Sequence, residues 1–244
     1  MHGTDIDLTG KTTLISGASR GIGRGIAVAA ASKGAKVICI GRAVEKDGPR
    51  GSLRETVEMI QSTGGEAVSF HCDVSNPKQI IELFNKISSQ IGDIDILVNN
   101  AGVYTMGSIQ DISLEDWYLG LAVNLTAPML MSKLAIPMMI NKGGGTILNI
   151  TSRSAERYDR MHVAYSASKA ALNRFTQSLA KEVSNLNIVV NALGPGLVKT
   201  EMNGFYDGGD EIESVIEPAL KLMTLTINDN INGQILHKDQ YQQD

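Results

Sequence analysis

Residues 11–23 read KTTLISGASRGIG, a stretch in which an apolar run passes through closely spaced glycines into an alanine-rich segment. The run that ends at Ser16 predicts a buried strand, and the stretch from about Gly21 to Lys33 predicts a helix. Glycines allow close backbone approach, and the free amides and dipole of a helix N-terminus favour negative charge. This order is therefore typical of a phosphate or pyrophosphate site. The spacing is G-x3-G-x-G, and a turn that only closes a β-α unit is the alternative.

Strand and helix patterns alternate along the whole chain, without an internal repeat or a linker. Further strand-like runs occupy residues 35–41, 66–72, 94–98, 146–151, 187–193 and 233–236. Helical patterns occupy residues 53–62, a segment that opens with Pro77, and residues 114–140, 163–181 and 217–227. We therefore predict an α/β fold, a single Rossmann-type domain over residues 1–244 whose doubly wound parallel sheet has helices on both faces. A polar, glycine-rich loop at about 201–213 is predicted to cover the substrate.

Composition narrows the class of protein and of partner. The 244 residues are 43% hydrophobic and 20% charged, with a net charge of -4, which fits a globular protein and offers no basic surface for nucleic acid. Residues 1–7 lack a signal-peptide pattern, and we expect no membrane span. Cys39 and Cys72 lie in predicted neighbouring strands, where two buried free thiols in a reducing cytoplasm are expected and a disulfide is the alternative.

The end of the second predicted strand bears on cofactor choice. Enzymes of this architecture that use NAD usually place an acidic residue there to bind the ribose 2'-hydroxyl, whereas an arginine accommodates a 2'-phosphate. The segment between Gly23 and Val44 contains no Asp or Glu, and the second strand ends at Arg42. Together with Arg20, this predicts NADP(H) rather than NAD(H), and Lys46 or Arg50 could add to the site. Solvated surface arginines are the alternative.

Two further strand ends suit a cofactor crevice. Asp73 closes the third strand, and the fourth ends in the small and amide residues 99–102, with the sequence NNAG. Ligands bind at the carboxyl ends of strands in open α/β sheets, so we expect these residues to line the crevice. A structural turn is the alternative.

Tyr165 and Lys169 are the candidate chemical pair. They are i and i+4 on a predicted helix, so their side chains lie on one face. A phenol holds its proton to about pH 10, and an ammonium group one turn away should lower that pKa, making Tyr165 a plausible acid or base. Ser152, thirteen residues upstream at a strand end, can join Tyr165 in holding a carbonyl oxygen. An ordinary helical Tyr and Lys are the alternative.

Asn124 lies inside the long helical pattern of residues 114–140. A buried amide costs free energy unless it is hydrogen-bonded. Pro128 cannot donate to the helix ladder, so we expect a free carbonyl near Asn124. The methionines of this helix are interpreted as core or interface filling.

The motifs occur together in the order and spacing of one family, and over essentially its whole length the chain resembles the short-chain dehydrogenase/reductases. Ser16 stands where the family usually has Thr, which keeps the hydroxyl. The motifs are residues 16–23, Asp73, the NNAG of residues 99–102, Asn124, Ser152, Tyr165 with Lys169, and Pro195-Gly196 with Thr200.

The resemblance implies an oxidoreductase that transfers a hydride between NADP(H) and a small carbonyl or alcohol. Tyr165 would be its acid or base, with Lys169 lowering the tyrosine pKa and Ser152 holding the substrate oxygen. Thr151 and Ser154 are rivals to Ser152 on composition, but the spacing to Tyr165 favours Ser152. Asn124 would hold a water that links Lys169 to solvent. The implied cofactor contacts are Gly17, Ser19, Arg20, Gly21, Ile22, Gly23, Arg42, Asp73, Val74, Asn100, Ala101, Gly102, Tyr165, Lys169, Pro195, Gly196, Val198 and Thr200, and no metal is implied.

Other functions of the same fold stay open. A 3-oxoacyl-carrier-protein reductase would show basic residues beside the site, where residues 141–145 and 184–187 supply one lysine. A non-catalytic dinucleotide-binding regulator would typically lose Tyr, Lys or Ser, and an enoyl reductase would space Tyr and Lys more widely. The resemblance implies a homo-oligomer, a dimer or tetramer, paired through residues 114–140 and 163–181. The C-terminal third matches the family loosely, which puts the substrate in doubt.

Overall fold

A computed structural model describes residues 6–43, 51–157 and 160–241. Its centre is one sheet of seven parallel strands in the order β3-β2-β1-β4-β5-β6-β7. The strand order reverses between β1 and β4, and at such a switch point a crevice opens above the carboxyl ends of the strands. The predicted doubly wound sheet is confirmed. The strands are β1 (Thr12–Ser16), β2 (Lys36–Gly41), β3 (Glu66–His71), β4 (Ile96–Asn99), β5 (Gly145–Ile150), β6 (Ile188–Gly194) and β7 (Ile235–His237).

Within the described ranges, seven α-helices accompany the sheet. Most follow the predicted bounds within a few residues, because capping residues fix them: Ser52 and Glu55 form a capping box at the start of α2, and Asn76 caps α3 before Pro77. The helices are α1 (Gly21–Ser32), α2 (Leu53–Ser62), α3 (Pro77–Gln90), α4 (Leu114–Leu121), α5 (Ala127–Asn141), α6 (Val163–Val183) and α7 (Glu213–Met223).

Two hydrophobic cores lie on the two faces of the sheet. Adjacent β1 residues point to opposite faces: Ile15 packs with α1, α2 and α7, and Leu14 packs with α3, α5 and α6. Because both faces are covered, the strands read as continuous apolar runs. Cys39 lies in the first core and Cys72 in the second, and both are buried free thiols. The sheet between them rules out the alternative of a disulfide.

The predicted helix over residues 114–140 is interrupted. Between α4 and α5 the backbone widens into a π-helical turn, Ala122–Thr126, in which the amide of Ala127 donates to the carbonyl of Ala122. Pro128 has no N–H to donate to the carbonyl of Asn124, so a regular ladder cannot form here. By length and composition the helical run from Leu114 to Asn141 could cross a membrane, but here its Ala127, Met131 and Ala135 positions pack into the second core.

The last helix begins four residues earlier than predicted. It spans Glu213–Met223 rather than residues 217–227, so Pro218 lies inside α7 instead of at its start. Ile227 belongs to a separate 3-10 turn, where the side chain of Asp229 accepts from the amide and hydroxyl of Thr226 at 2.7 and 2.8 Å. Burial of Val215 and Ala219, on a helix that packs against α1 and β6, favours the earlier start.

Candidate active site

The glycine loop after β1 packs so closely against the residues after β4 that Gly17 and Gly23 have no room for a Cβ. Gly17 adopts φ 68°, and a Cβ there would lie 2.9 Å from the Cα of Ala101. A Cβ on Gly23 would lie 2.4 Å from the carbonyl oxygen of Gly17. Gly21, at φ 56°, turns the chain into α1. These glycines are therefore needed to bring the N-terminus of α1 to the crevice.

Ser16 and Asn100 fasten this loop to the end of β4. The hydroxyl oxygen of Ser16 accepts the amides of Asn100 and Ala101, both at 3.0 Å. In return, the side-chain amide of Asn100 donates to the carbonyl of Ser16 at 2.8 Å. Asn99, by contrast, is buried and donates to Asn149 on β5 at 2.8 Å, so its side chain does not line the crevice.

The predicted 2'-phosphate region lies at the ends of β2 and β3. Arg42 is exposed, and Arg20 is half-buried at the start of α1, where its side chain does not cap the helix. Burial raises the pKa of Asp73, but hydrogen bonds from Ser75 and the charge of Arg42 outweigh it, so the pKa is below its ordinary value. Arg42 and Asp73 are thus neighbours. Val74, beside them, is buried in the second core, while Lys46 and Arg50 fall outside the described residues.

Arg24 is a supporting residue that sequence analysis missed. Its guanidinium donates to the carbonyl of Ser19 at 2.5 Å and forms an ion pair with Glu55 at 3.0 Å. It also donates to the hydroxyl of Thr56 at 3.1 Å. Arg24 therefore ties the glycine loop to α2. The sequence shows an arginine on a helix but not which neighbouring helix it faces.

Tyr165, Lys169 and Ser152 meet where β5 ends and α6 begins. Tyr165 and Lys169 are buried on one face of α6, with the Lys169 Nζ atom 5.8 Å from the centre of the Tyr165 ring. A side-chain hydrogen bond joins Tyr165 to Ser152. The rival Thr151 is buried and hydrogen-bonds Asn173 at 2.5 Å, while Ser154 uses its amide to bond the Ser152 oxygen at 3.1 Å. Of the three hydroxyl residues, Ser152 is thus the one bonded to Tyr165.

The pKa of Tyr165 does not follow the expected direction. Burial raises it, the hydrogen bond from Ser152 lowers it in part, and Tyr104 raises it further, so the pKa is above its ordinary value of 10. Burial also lowers the pKa of Lys169 to about 8. Lys169 Nζ donates to the carbonyl of Ile150 at 2.9 Å instead of contacting the phenol. The prediction of a lowered tyrosine pKa is therefore wrong for the chain by itself, because desolvation dominates.

Asn124 lies in the π-helical turn with its side chain fully buried. Its Oδ1 accepts the amide of Val103 at 2.9 Å, and its Nδ2 donates to the carbonyl of Val103 at 3.0 Å and to the Ser168 hydroxyl at 3.0 Å. The buried amide therefore has protein partners, and it joins the segment after β4 to α6. Gly102 lies beside Lys169, since a Cβ at Gly102 would be 3.8 Å from Lys169 Nζ.

The loop after β6 closes the other side of the crevice. A Cβ on Gly21 would lie 3.6 Å from Thr200, so this loop faces the glycine loop. Pro195 and Gly196 begin it, with Gly196 at φ 73°, and Val198 pairs with Asp210 across the predicted covering loop. That loop is not uniformly irregular, because it contains a 3-10 turn, Glu201–Asn203, and its last residue opens α7.

Lys238, which follows β7, contacts the loop after β6. Its side chain is buried and forms an ion pair with Asp210 and a hydrogen bond with the Ser214 hydroxyl at 3.0 Å. A Cβ on Gly196 would lie 3.3 Å from Lys238 Cε. The sequence offered only a loose family match here, so a buried lysine was not foreseen.

Two more residues missed by sequence analysis lie beside Tyr165. The Tyr104 ring meets the Tyr165 ring edge-on, with 5.0 Å between centroids, and the Tyr104 hydroxyl is hydrogen-bonded to His162 Nε2. A faint signal existed, since Tyr104 follows the NNAG motif and His162 is three residues before Tyr165.

The comparisons with known proteins agree with this geometry. The short chain dehydrogenase family pattern matches residues 11–208. An uncharacterised oxidoreductase of Thermotoga maritima is 41% identical over 196 residues, 80% of this chain and 75% of that protein. A 3-oxoacyl-[acyl-carrier-protein] reductase of Synechocystis is 34% identical over 195 residues, 80% of this chain and 77% of that protein.

Among solved structures, a candidate NAD(P)-dependent gluconate 5-dehydrogenase from Beutenbergia cavernae, with NADP bound at low occupancy, superposes with a TM-score of 0.87. The two are 29% identical, and the match covers 96% of this chain and 97% of that one. The family match extends over most of the chain, and the fold match over nearly all of both structures. The chain therefore belongs to the short-chain dehydrogenase family.

Proposed function

We propose that this oxidoreductase uses NADP(H) to interconvert a small ketone or aldehyde with its alcohol, with Tyr165 as the acid or base. The observation that supports this most strongly is the meeting of Tyr165, Ser152 and Lys169 at the carboxyl edge of the sheet, beside the glycine loop. A carbonyl oxygen placed there has two hydroxyl donors and a nearby ammonium group.

A dinucleotide fits the residues present. The loop at Gly17 and Gly23 has no room for a Cβ, so the backbone itself can approach a pyrophosphate. The first turn of α1, all of which the structure describes, contains no acidic residue that would repel it. When bound, the nicotinamide supplies or accepts the hydride.

Each protein group has a distinct task in reduction. Tyr165 donates its proton to the carbonyl oxygen as the carbonyl carbon gains the hydride, so that an alcohol and a phenolate result. Ser152 donates a hydrogen bond to the same oxygen and lowers the cost of its developing charge. The ammonium of Lys169, 5.8 Å from the centre of the Tyr165 ring, would stabilise the phenolate as it forms. Oxidation of an alcohol reverses these transfers.

Arg42 and Arg20 support NADP(H) over NAD(H). Arg42 stands at the end of β2 next to Asp73, and no Asp or Glu between Gly23 and Val44 could bind a ribose 2'-hydroxyl instead. A related structure has NADP bound. The exposed position of Arg42 leaves it accessible to a phosphate.

Titration with NADPH and NADH, followed by cofactor fluorescence, tests this choice. We expect NADPH to bind at least about ten-fold more tightly, and Arg42→Gln to weaken NADPH binding by about ten-fold without affecting NADH. Arg174→Gln, on the exposed surface of α6, is the control. A panel of ketones and aldehydes is then added to the preferred cofactor. Tighter NADH binding would contradict the cofactor proposal, and no turnover across the panel would contradict the proposed activity.

A carrier-protein substrate is the second candidate, since a relative bears that name. The one lysine near the expected docking stretches, Lys142, forms an ion pair with Asp95 at 3.2 Å, which favours a small free substrate.

We also infer a cytoplasmic homo-oligomer. The two free buried thiols support the cytoplasmic location. The exposed apolar side chains of Leu114, Tyr118 and Met129 on α4 and α5 support the homo-oligomer.

A further inference from the structure

We propose that Tyr104 and His162 form a second binding point for the substrate, which accepts a hydrogen bond from a hydroxyl next to the reacting carbon. The favoured substrates are then vicinal diols and α-hydroxy carbonyl compounds rather than simple alcohols and ketones. This inference rests on the proposed function, because it places the reacting oxygen on Tyr165 and Ser152.

The three rings form one array. Tyr104 meets Tyr165 edge-on, with ring centroids 5.0 Å apart and an interplanar angle of 77°. On its other side Tyr104 lies 5.3 Å from the His162 ring, at 57°, and its hydroxyl bonds His162 Nε2. The charge of a Tyr104 phenolate would raise the pKa of Tyr165, so the two phenols interact electrostatically. The two phenol rings are therefore in contact, and we place a substituent adjacent to an oxygen held by Tyr165 next to Tyr104.

The partners of His162 assign the direction of these bonds. His162 Nδ1 lies 2.5 Å from the carbonyl oxygen of Arg160, which can only accept, so Nδ1 bears the proton of the neutral ring. Nε2 must then accept the proton of the Tyr104 hydroxyl. With that proton directed to His162, the Tyr104 oxygen can offer a ligand only its lone pairs. The group it recognises is a donor, such as an alcohol O–H.

The surrounding backbone holds the pair in place. The amide of Gly107 donates to the carbonyl of Met161 at 2.9 Å, and Gly107 forms a bridge with His162. Met161 adopts φ 66°, a left-handed conformation that is rare for a residue with a side chain. The loop after β4 and the loop before α6 are thus joined, and the Tyr104 oxygen is oriented before any ligand arrives, which reduces the entropy lost on binding.

A purely structural role for the pair makes a different prediction. If Tyr104 and His162 only joined the two loops, removing the hydroxyl would weaken every ligand to the same extent. A binding role affects only ligands that have the second hydroxyl. A matched ligand pair therefore separates the two roles.

The test measures affinity in a chain that cannot turn over. Tyr165→Phe protein, saturated with whichever of NADP+ and NAD+ binds more tightly, is titrated calorimetrically with 2,3-butanediol and with 2-butanol. We expect the diol to bind about ten-fold more tightly, and added Tyr104→Phe to bring the two affinities within about two-fold by weakening only the diol. Tyr118→Phe, which removes an exposed phenol hydroxyl on α4, should leave the preference intact.

A second variant covers the case in which Tyr104→Phe misfolds. His162→Leu removes the acceptor that orients the Tyr104 proton, and the diol preference should fall in the same direction. Equal affinities in the parent protein, a preference that survives both variants, or equal weakening of both ligands would overturn the inference. A diol preference in a protein whose unmutated form turns over no carbonyl would instead contradict the proposed function and leave the binding point standing.

Discussion

Lys169, which is proposed to stabilise the Tyr165 phenolate, is unfavourable for stability at neutral pH. Burial lowers the pKa of its ammonium to about 8, from the ordinary value of 10.5. Between these two values the unfolded chain binds more protons than the folded one, so stability rises with pH through that window. Below about pH 8 the folded protein holds a buried charge at a cost of roughly 3 kcal/mol.

Lys169→Met is therefore expected to stabilise the protein at pH 7 while abolishing turnover. The gain should be about 2 kcal/mol, because the lost hydrogen bond to the Ile150 carbonyl removes about 1 kcal/mol. Urea unfolding at pH 7 and pH 10 checks the sign, since the difference from the unmutated protein should shrink as pH rises. Lys181→Met, exposed on the same helix, is the control. A variant that is less stable at pH 7 would show that desolvation does not dominate at this site.

Single residues also show where sequence reasoning stops. The spacing of Tyr165 and Lys169 was sufficient to predict that they share a helix face. The need for a hydroxyl at position 16 became clear only in the structure, where the Ser16 oxygen accepts two backbone amides. The direction of the Tyr165 pKa shift could not be predicted, because it depends on burial and on Tyr104, which is 61 positions away along the chain. Tyr104 and His162 are 58 positions apart, and partners so distant from each other leave no periodic signal.

At the scale of elements, strands and capped helices were predictable, and proline positions were ambiguous. Pro77 opens α3 and Pro128 accompanies the π-helical turn, as their missing N–H groups suggest. Pro218 lies inside α7, where packing against α1 outweighs the lost ladder bond. Local preference therefore locates a boundary only where tertiary packing does not oppose it.

The loop after β6 depends on an element far along the chain. Lys238 has a side chain only 3% exposed, and it ties Asp210 and Ser214 to the segment behind Gly196. Because residues of this loop are among the cofactor contacts that the family resemblance implies, its order should affect cofactor affinity more than the chemical step.

Lys238→Met is expected to weaken cofactor binding several-fold while kcat at saturating cofactor changes less than two-fold. The physical reason is that the freed loop must be ordered again at the moment of binding. Fluorescence titration and steady-state kinetics measure the two effects separately. Lys221→Met, which breaks an i,i+4 pair with Glu217 on the surface of α7, serves as control. Unchanged cofactor affinity would mean that Lys238 does not position the loop.

For the whole molecule, the alternation of strands and helices was sufficient to predict the sheet, since parallel strands joined by helices leave few topologies. The switch point between β1 and β4 then explains why distant motifs converge: strands in one direction place all their carboxyl ends at one edge. The substrate could not be predicted in this way, because the groups that select it lie on loops whose conformation is set by the rest of the fold.

The most direct test of the proposed mechanism is the Tyr165→Phe variant, assayed for both cofactor binding and carbonyl reduction. The substitution keeps the buried ring beside Tyr104 and removes only the hydroxyl that bonds Ser152. We predict that NADPH affinity stays within about two-fold of the unmutated protein, while kcat falls by at least about a hundred-fold, as expected for loss of a general acid. Turnover near the unmutated rate would contradict the assignment of Tyr165 as the proton donor.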